Sequence, residues 1–286
     1  MHTVVYIRDM QKKGWLPSEK VLLPAAALTY WGFTSIEEFA TLEKASQRAC
    51  FRRSQKFESY NFHFALTWLH KVKTLLEQES ITSIYSPQNL LGLAEEIPDY
   101  SQRKQGILLF LRALQGPVPH RSSPRKTYTD GASLWFQGNP VIALTNRFDR
   151  NDNFWFTITH EIGHILLHLD DLKKNHAYID SIDGKDESRD ERETEADADA
   201  FARKHLKIDD ILRFFELRQR ISEKAVTECA RILNLHPALI VGCLQHEGRI
   251  SYKLLNRHKE PVKHLLQPFF RGIEETTPAL PRRRNN

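Results

Sequence analysis

The chain has 286 residues, 41% hydrophobic and 27% charged, a balance that supports a folded core and excludes a wholly disordered or fibrous protein. Its formal net charge of +5 permits contact with nucleic acid without requiring it. The sequence shows neither a long apolar run nor a signal-like start, and its three cysteines (Cys50, Cys229, Cys243) share no C-x-x-C spacing. A cytoplasmic protein is expected, without disulfides or a cysteine zinc site, whose thiols are structural rather than nucleophilic.

Residues 1–84 are expected to be a helical N-terminal region. Helical spacing of apolar residues runs through 19–29, 35–47 and 60–79, with breaks at Pro17, at Gly32 and near Phe51-Arg52-Arg53-Ser54. Basic residues gather at Arg48, Arg52, Arg53 and Lys56. A further helix over 87–100 is expected to end near Pro98. The apolar run from Gly106 to Leu114 reads as a buried strand, and a polar loop with Pro117, Pro119, Pro124 and Gly131 follows. Alternating runs over 132–136 and 141–144, parted by Gln137-Gly138-Asn139-Pro140, predict a β-hairpin.

Residues 151–169 then predict a helix, with Asn151 or Asp152 as its cap. Trp155, Ile158, Ile162, Ile165, Leu166 and Leu169 recur at helical spacing on one face. The other face carries Thr157, His160, Glu161, His164 and His168, and His160-Glu161-Ile162-Gly163-His164 is an H-E-x-x-H run. Residues four apart lie one above the other, so His160 and His164 can reach one cation. Glu161 lies about 100° round from His160, placed to touch a water at that cation. A small twisted sheet followed by such a helix is the zincin arrangement. In that arrangement an edge strand pairs with extended peptide substrate, and one strand of the hairpin is the expected edge.

A catalytic zinc site usually takes three protein ligands. His168 is not expected to be the third, because positions i, i+4 and i+8 of a straight helix form a line about 12 Å long, whereas zinc–nitrogen bonds are about 2 Å. The alanine-rich segment from Glu191 to Ala202 predicts a second helix. On it Glu195 can bind the metal while Asp199 orients a ligand histidine; Glu193 with Asp197 has the same spacing, so geometry leaves two choices. Two histidines and one carboxylate suit zinc, and no organic cofactor is implied.

These motifs resemble those of the ImmA/IrrE family of metallopeptidases. Members follow an H-E-x-G-H-x-x-L-H helix with E-x-E-A-N-x-F-A. Residues 160–168 (HEIGHILLH) fit the first, and residues 195–202 (EADADAFA) fit the second, with Phe201-Ala202 as anchor. The resemblance places Glu195 at the ligand glutamate and Asp199 at the asparagine, Asp197 replaces the second glutamate, and Glu193 is held in reserve. The stretch from Lys13 to Ser54 also resembles the inter-domain region of longer members. In those an antitoxin-like helix-turn-helix domain comes first. No such domain is read here, so direct operator reading is not expected.

Beyond Phe201 the helix is expected to continue to about His205, with further helices over 212–220, 223–233 and after Pro237. The pair 223–246 could be a DNA-binding unit, but packing against the core is the preferred reading. It also resembles the family's closing V-G-R-L-Q-H segment, with Cys243 in place of the arginine. Arg282-Arg283-Arg284 sit in a tail expected to be disordered.

The expected fold is therefore α+β and mostly helical. A zincin-like, gluzincin-like core over 85–215 is flanked by the region 1–84, a C-terminal helical segment over 216–275 and a basic tail over 276–286. The expected function is that of a zinc endopeptidase. Zn²⁺ is held by His160, His164 and Glu195, Glu161 acts as general base, and His176, Tyr178, His205 or His246 may serve the oxyanion with none preferred. The resemblance implies a helix-turn-helix repressor or antitoxin as protein substrate, whose cleavage derepresses genes. The alternative is a non-hydrolytic regulator that keeps zinc as a staple and binds a repressor or toxin.

Overall fold

The computed structural model describes residues 10, 49–53, 68, 70–72, 74–77, 85–114, 120–121, 129–145, 147–169 and 189–266. The helices expected over 19–29 and 35–47, the loop prolines, His176, Tyr178 and the basic tail lie outside them, as does part of 60–79. The architecture is α+β and mostly helical, with a small sheet against the helix that carries H-E-x-x-H.

The sheet has four strands in the order β1-β3-β4-β2, where β1 is Ala49–Arg53, β2 His120–Arg121, β3 Thr129–Phe136 and β4 Asn139–Thr145. Strands β3 and β4 form the expected hairpin, extended outward so that Gly131 lies in β3 rather than in a loop. Its two turn residues have positive φ, 47° at Gln137 and 79° at Gly138, the left-handed pair that a tight hairpin turn requires. β1 pairs antiparallel with β3, and β2 pairs parallel with β4 at Leu144 and Thr145. The expected hairpin edge is thereby corrected: among the described residues the outer strands are β1 and β2, and β3 is interior. β1 falls where the sequence shows only a break between helices. Its partners in β3 are about eighty residues away, and local periodicity carries no trace of a pairing so remote.

Alternation along the hairpin divides the sheet into two faces. Ala132, Leu134, Val141 and Ala143 pack with Trp68, Val72 and Leu76, which belong to helical residues between 68 and 76. Ile142 and Leu144 join the larger core on the opposite face.

Three helices precede the hairpin: α1 (Pro87–Glu95), α2 (Ile97–Gln102) and α3 (Gly106–Ala113). Ser86 Oγ caps α1 by accepting from Asn89 N–H at 3.3 Å, and Pro87 occupies the first turn, where no N–H is needed. The strand expected over 106–114 is a helix. Ile107, Phe110 and Leu111 are buried at three-and-four spacing while Leu109 is exposed, and a short apolar run does not separate the two states by itself. Gly106 is required here, because a Cβ would collide with the Tyr100 carbonyl.

The central helix α4 spans Asn151–His164 and ends in a π-turn over Ile165–Leu169. Phe154, Trp155, Ile158, Ile162 and Ile165 are buried, with Trp155 edge-on to Phe110 at 5.3 Å. The expected cap is corrected: Arg150 holds the capping position without a side-chain bond, and Asn151 and Asp152 lie within the first turn. Their side chains instead fasten a C-terminal strap. Asn151 Oδ1 accepts from Glu260 N–H at 3.2 Å, and Asp152 pairs with Arg150 at 3.1 Å and with buried Lys259 at 2.7 Å.

Downstream come α5 (Arg189–His205), α6 (Ile208–Phe215), α7 (Glu223–Leu233), α8 (Pro237–His246) and a short α9 (Lys263–Leu266). α6 starts four residues earlier than expected, since Ile208, Ile211 and Phe215 are its buried stripe and Leu217, 94% exposed, lies past its end. One hydrophobic cluster includes Leu90, the buried faces of α3 and α4, Val226, Cys229 and Leu239, and reaches Leu266. Every residue of α8 from Ala238 to Gln245 except Gly242 is buried, so α8 packs into the core, while α7 buries Ala225, Val226, Cys229 and Ala230. Burial pushes both Cys229 and Cys243 up to about 12, so both thiols stay protonated and unreactive. Among the described residues, no helix is long and apolar enough to cross a membrane.

Truncation of Ile158, which is fully buried on α4, is expected to cost about 2–5 kcal/mol, whereas Leu217→Ala should stay within about 0.5 kcal/mol. Urea unfolding midpoints of the two variants check the contrast.

Candidate metal centre

α4 and α5 cross in close contact. A Cβ on Gly163 would stand 3.1 Å from Phe201 Cβ and 3.2 Å from Ala198 Cα, so glycine on one helix and alanine on the other let the backbones approach. At this crossing His160, His164 and Glu195 each turn a ligand atom to one point. His160 Nε2 and His164 Nε2 are 3.0 Å apart, and Glu195 Oε2 and Oε1 lie 3.4 Å from the first and second of these nitrogens. A tetrahedral zinc with bonds of about 2.0–2.1 Å has ligand atoms about 3.3 Å from one another. The donor set thus fits such a cation in both chemistry and spacing. Both imidazoles are buried, while Glu195 is 37% exposed on the α5 side.

His160 Nδ1 donates to Asp199 Oδ1 at 2.9 Å, so Nε2 faces the centre and offers its lone pair to a cation once its proton is lost. Burial alone would depress His160, but the Asp199 and Glu195 carboxylates outweigh it and raise its pKa to about 9. Burial likewise favours neutral Glu195, and the two imidazoles overturn this and hold it down at about 2. The three side chains thus form a charged cluster, with carboxylate on Glu195 facing imidazolium on His160.

Glu161 follows His160 about 100° round α4 and is wholly buried against β3. Ser133 donates to Glu161 Oε2 at 2.6 Å, while Oε1 is buried without a hydrogen-bond partner among the described residues. Burial raises the pKa of this carboxyl, and His164, His160 and Ser133 offset only part of the shift. Gly131, two residues from Ser133 and on the same face, clears the space: its Cβ would stand 2.8 Å from Glu161 Oε1. Sequence reasoning missed both residues. Their period-two spacing was readable, but which strand face meets α4 was not.

The structure brings His160, Glu161, His164, Glu195 and Asp199 together, and turns Glu193 toward the exposed face of α5. His168 stands apart from the ligand atoms, its Nε2 donating to the Thr194 carbonyl at 3.1 Å, with burial lowering its pKa and keeping the ring neutral. His205 is held by the Phe201 carbonyl at 2.9 Å, about 15 Å along α5 from Glu195, and His246 is exposed beside Glu247.

Two histidines one turn apart, a carboxylate from a neighbouring helix and an intervening glutamate define a metallopeptidase-type centre of the H-E-x-x-H class. Residues 106–234 match the family model of the IrrE N-terminal-like domain, a peptidase family. This part of the chain is therefore similar to the ImmA/IrrE family of metallopeptidases, the family that the motifs resemble. No curated protein and no solved structure matches the chain significantly.

Because His160 carries a proton in the metal-free centre up to pH about 9, a cation must displace it. Zinc binding at pH 7 is expected to release about one proton, and affinity should rise about tenfold per pH unit toward that value and then level off. Calorimetry in buffers of different ionisation enthalpy measures the proton count.

Proposed function

We propose that the protein is a zinc-dependent endopeptidase that cleaves a helix-turn-helix repressor or antitoxin-type protein in the cytoplasm and so derepresses genes. The observation that carries the hydrolytic part is the convergence of His160, His164 and Glu195 at 3.0–3.4 Å with Glu161 one residue from His160. The match of residues 106–234 to the IrrE N-terminal-like family model supports a metallopeptidase role. The substrate class rests on the family resemblance alone.

Zinc bound there supplies Lewis-acid polarisation of a peptide carbonyl and a lowered pKa for water. Glu161 takes a proton from the attacking water as its oxygen adds to the carbonyl carbon, then returns that proton to the departing amine nitrogen, so the proton count closes. The raised pKa of Glu161 suits this double duty, since a carboxyl poised nearer neutrality both accepts and gives back a proton readily. Ser133 fixes one oxygen and leaves Oε1 for the water. Asp199 holds the His160 ring in the tautomer whose Nε2 faces the metal. Glu195 completes the set from α5 with a partly exposed side chain.

Glu161→Gln is nearly isosteric but cannot take the proton, and should lower cleavage by about 10²–10⁴-fold while zinc stays bound. Cells producing either form are compared by mass spectrometry for new protein N-termini. A cut in a DNA-binding protein seen only with the wild type is the expected result. Identical N-termini with zinc bound in both would instead favour a non-hydrolytic regulator that binds its repressor or toxin.

A further inference from the structure

We propose that His168 is a positioning residue that sets the reach of Glu195 to the metal by bonding the backbone of the helix that carries it. The inference rests on the metal reading above and adds a residue that is not a ligand. Glu195 comes from a helix that follows α4 only after a long connection, so its carboxylate reaches the histidines only if α5 is fixed along its own axis. Two contacts fix α5 on the C-terminal side of Glu195: Asp199 on His160 at 2.9 Å, and the close approach of Ala198 and Phe201 to Gly163. His168 acts on the other side. Its Nε2 donates at 3.1 Å to the carbonyl of Thr194, the residue that immediately precedes Glu195. Glu195 is thus bracketed, and a slide or tilt of α5 must stretch one of these contacts.

The π-turn over Ile165–Leu169 places His168 for this task. In a regular α-helix His168 would lie about 40° round from His164, since four residues advance about 400°. A π-turn takes more residues per turn, so each advances less, and His168 swings back toward the line of His160 and His164. That line is the one α5 lies against, and the His164 and His168 ring centroids are 5.6 Å apart. A π-turn is rare and gives up regular helical bonding; here its effect is to aim a third imidazole at α5 without bringing it to the ligand cluster.

The test compares His168→Gln, whose amide can still donate to a carbonyl, with His168→Met, which is of similar size and cannot. Zinc affinity is read by chelator competition, the visible absorption of the cobalt(II)-loaded protein reports ligand geometry, and metal-free unfolding midpoints are recorded alongside. His168→Met is expected to bind zinc about 10–100-fold more weakly with an altered cobalt spectrum, and His168→Gln to stay within about threefold of wild type. Equal zinc affinity in the two variants, or losses that merely follow their unfolding midpoints, would overturn this inference while leaving the metal reading intact. A wild type that fails to bind zinc would overturn both.

Discussion

The close approach of α4 to α5 is the constraint on which the rest of the centre depends, because its ligands come from both helices and neither helix can supply a full set. A helix with its side chains is about 10 Å across, yet three ligand atoms must meet within a few ångströms. Gly163 on α4 opposite Ala198 and Phe201 on α5 removes the side-chain volume that would otherwise hold the axes apart. The same economy appears on the far side of α4, where Gly131 lets β3 come up against Glu161. α4 is in effect clamped between a strand and a helix, each meeting it through a glycine. The imidazoles face the helix of the clamp, and the general-base candidate, about 100° round from His160, faces the strand.

Electrostatics reinforce this geometry. Without a cation the buried histidines face two carboxylates, and the cluster is held by a proton that the cation must replace. Glu161 differs, since its nearest fixed partner is a neutral hydroxyl and one of its oxygens is unpaired. A buried oxygen without a partner carries a desolvation cost that folding alone does not explain, and a bound water or substrate is what would relieve it.

Much of the centre was legible in the sequence because it is written in local spacing. His160 with His164 and Glu195 with Asp199 are four-residue pairs on helices whose periodicity is clear, and the alternatives Glu193 and Asp197 differ from them only in phase. What escaped the sequence lies in contacts between distant segments or between states of equal local preference. The run Ile107-Leu108-Leu109-Phe110-Leu111 suits a buried strand as well as a helix, and only its seat beneath Tyr100 and Trp155 selects the helix. β1 exists by virtue of β3, and the partnership of Ser133 with Glu161 depends on which face of the hairpin turns inward. The π-turn was unreadable for a different reason: Ile165 to Leu169 have ordinary helical preferences, and nothing in their local spacing marks a departure from regular winding.

The strap over the start of α4 has a consequence for the order of events during synthesis. Asn151 N–H donates to the Glu260 carbonyl at 2.9 Å, Asp149 Oδ1 accepts from the N–H groups of Val262 and Lys263 at 2.7 Å, and Lys259 reaches both Asp152 and Gln245 from a buried position. None of these partners exists while the ribosome has yet to make residue 259. The first turn of the helix that bears His160, Glu161 and His164 therefore gains these partners only once residues 259 to 263 have been made. Seating of that helix thus waits on a segment that lies well past Glu195 in the chain, rather than on the synthesis of the ligand residues themselves.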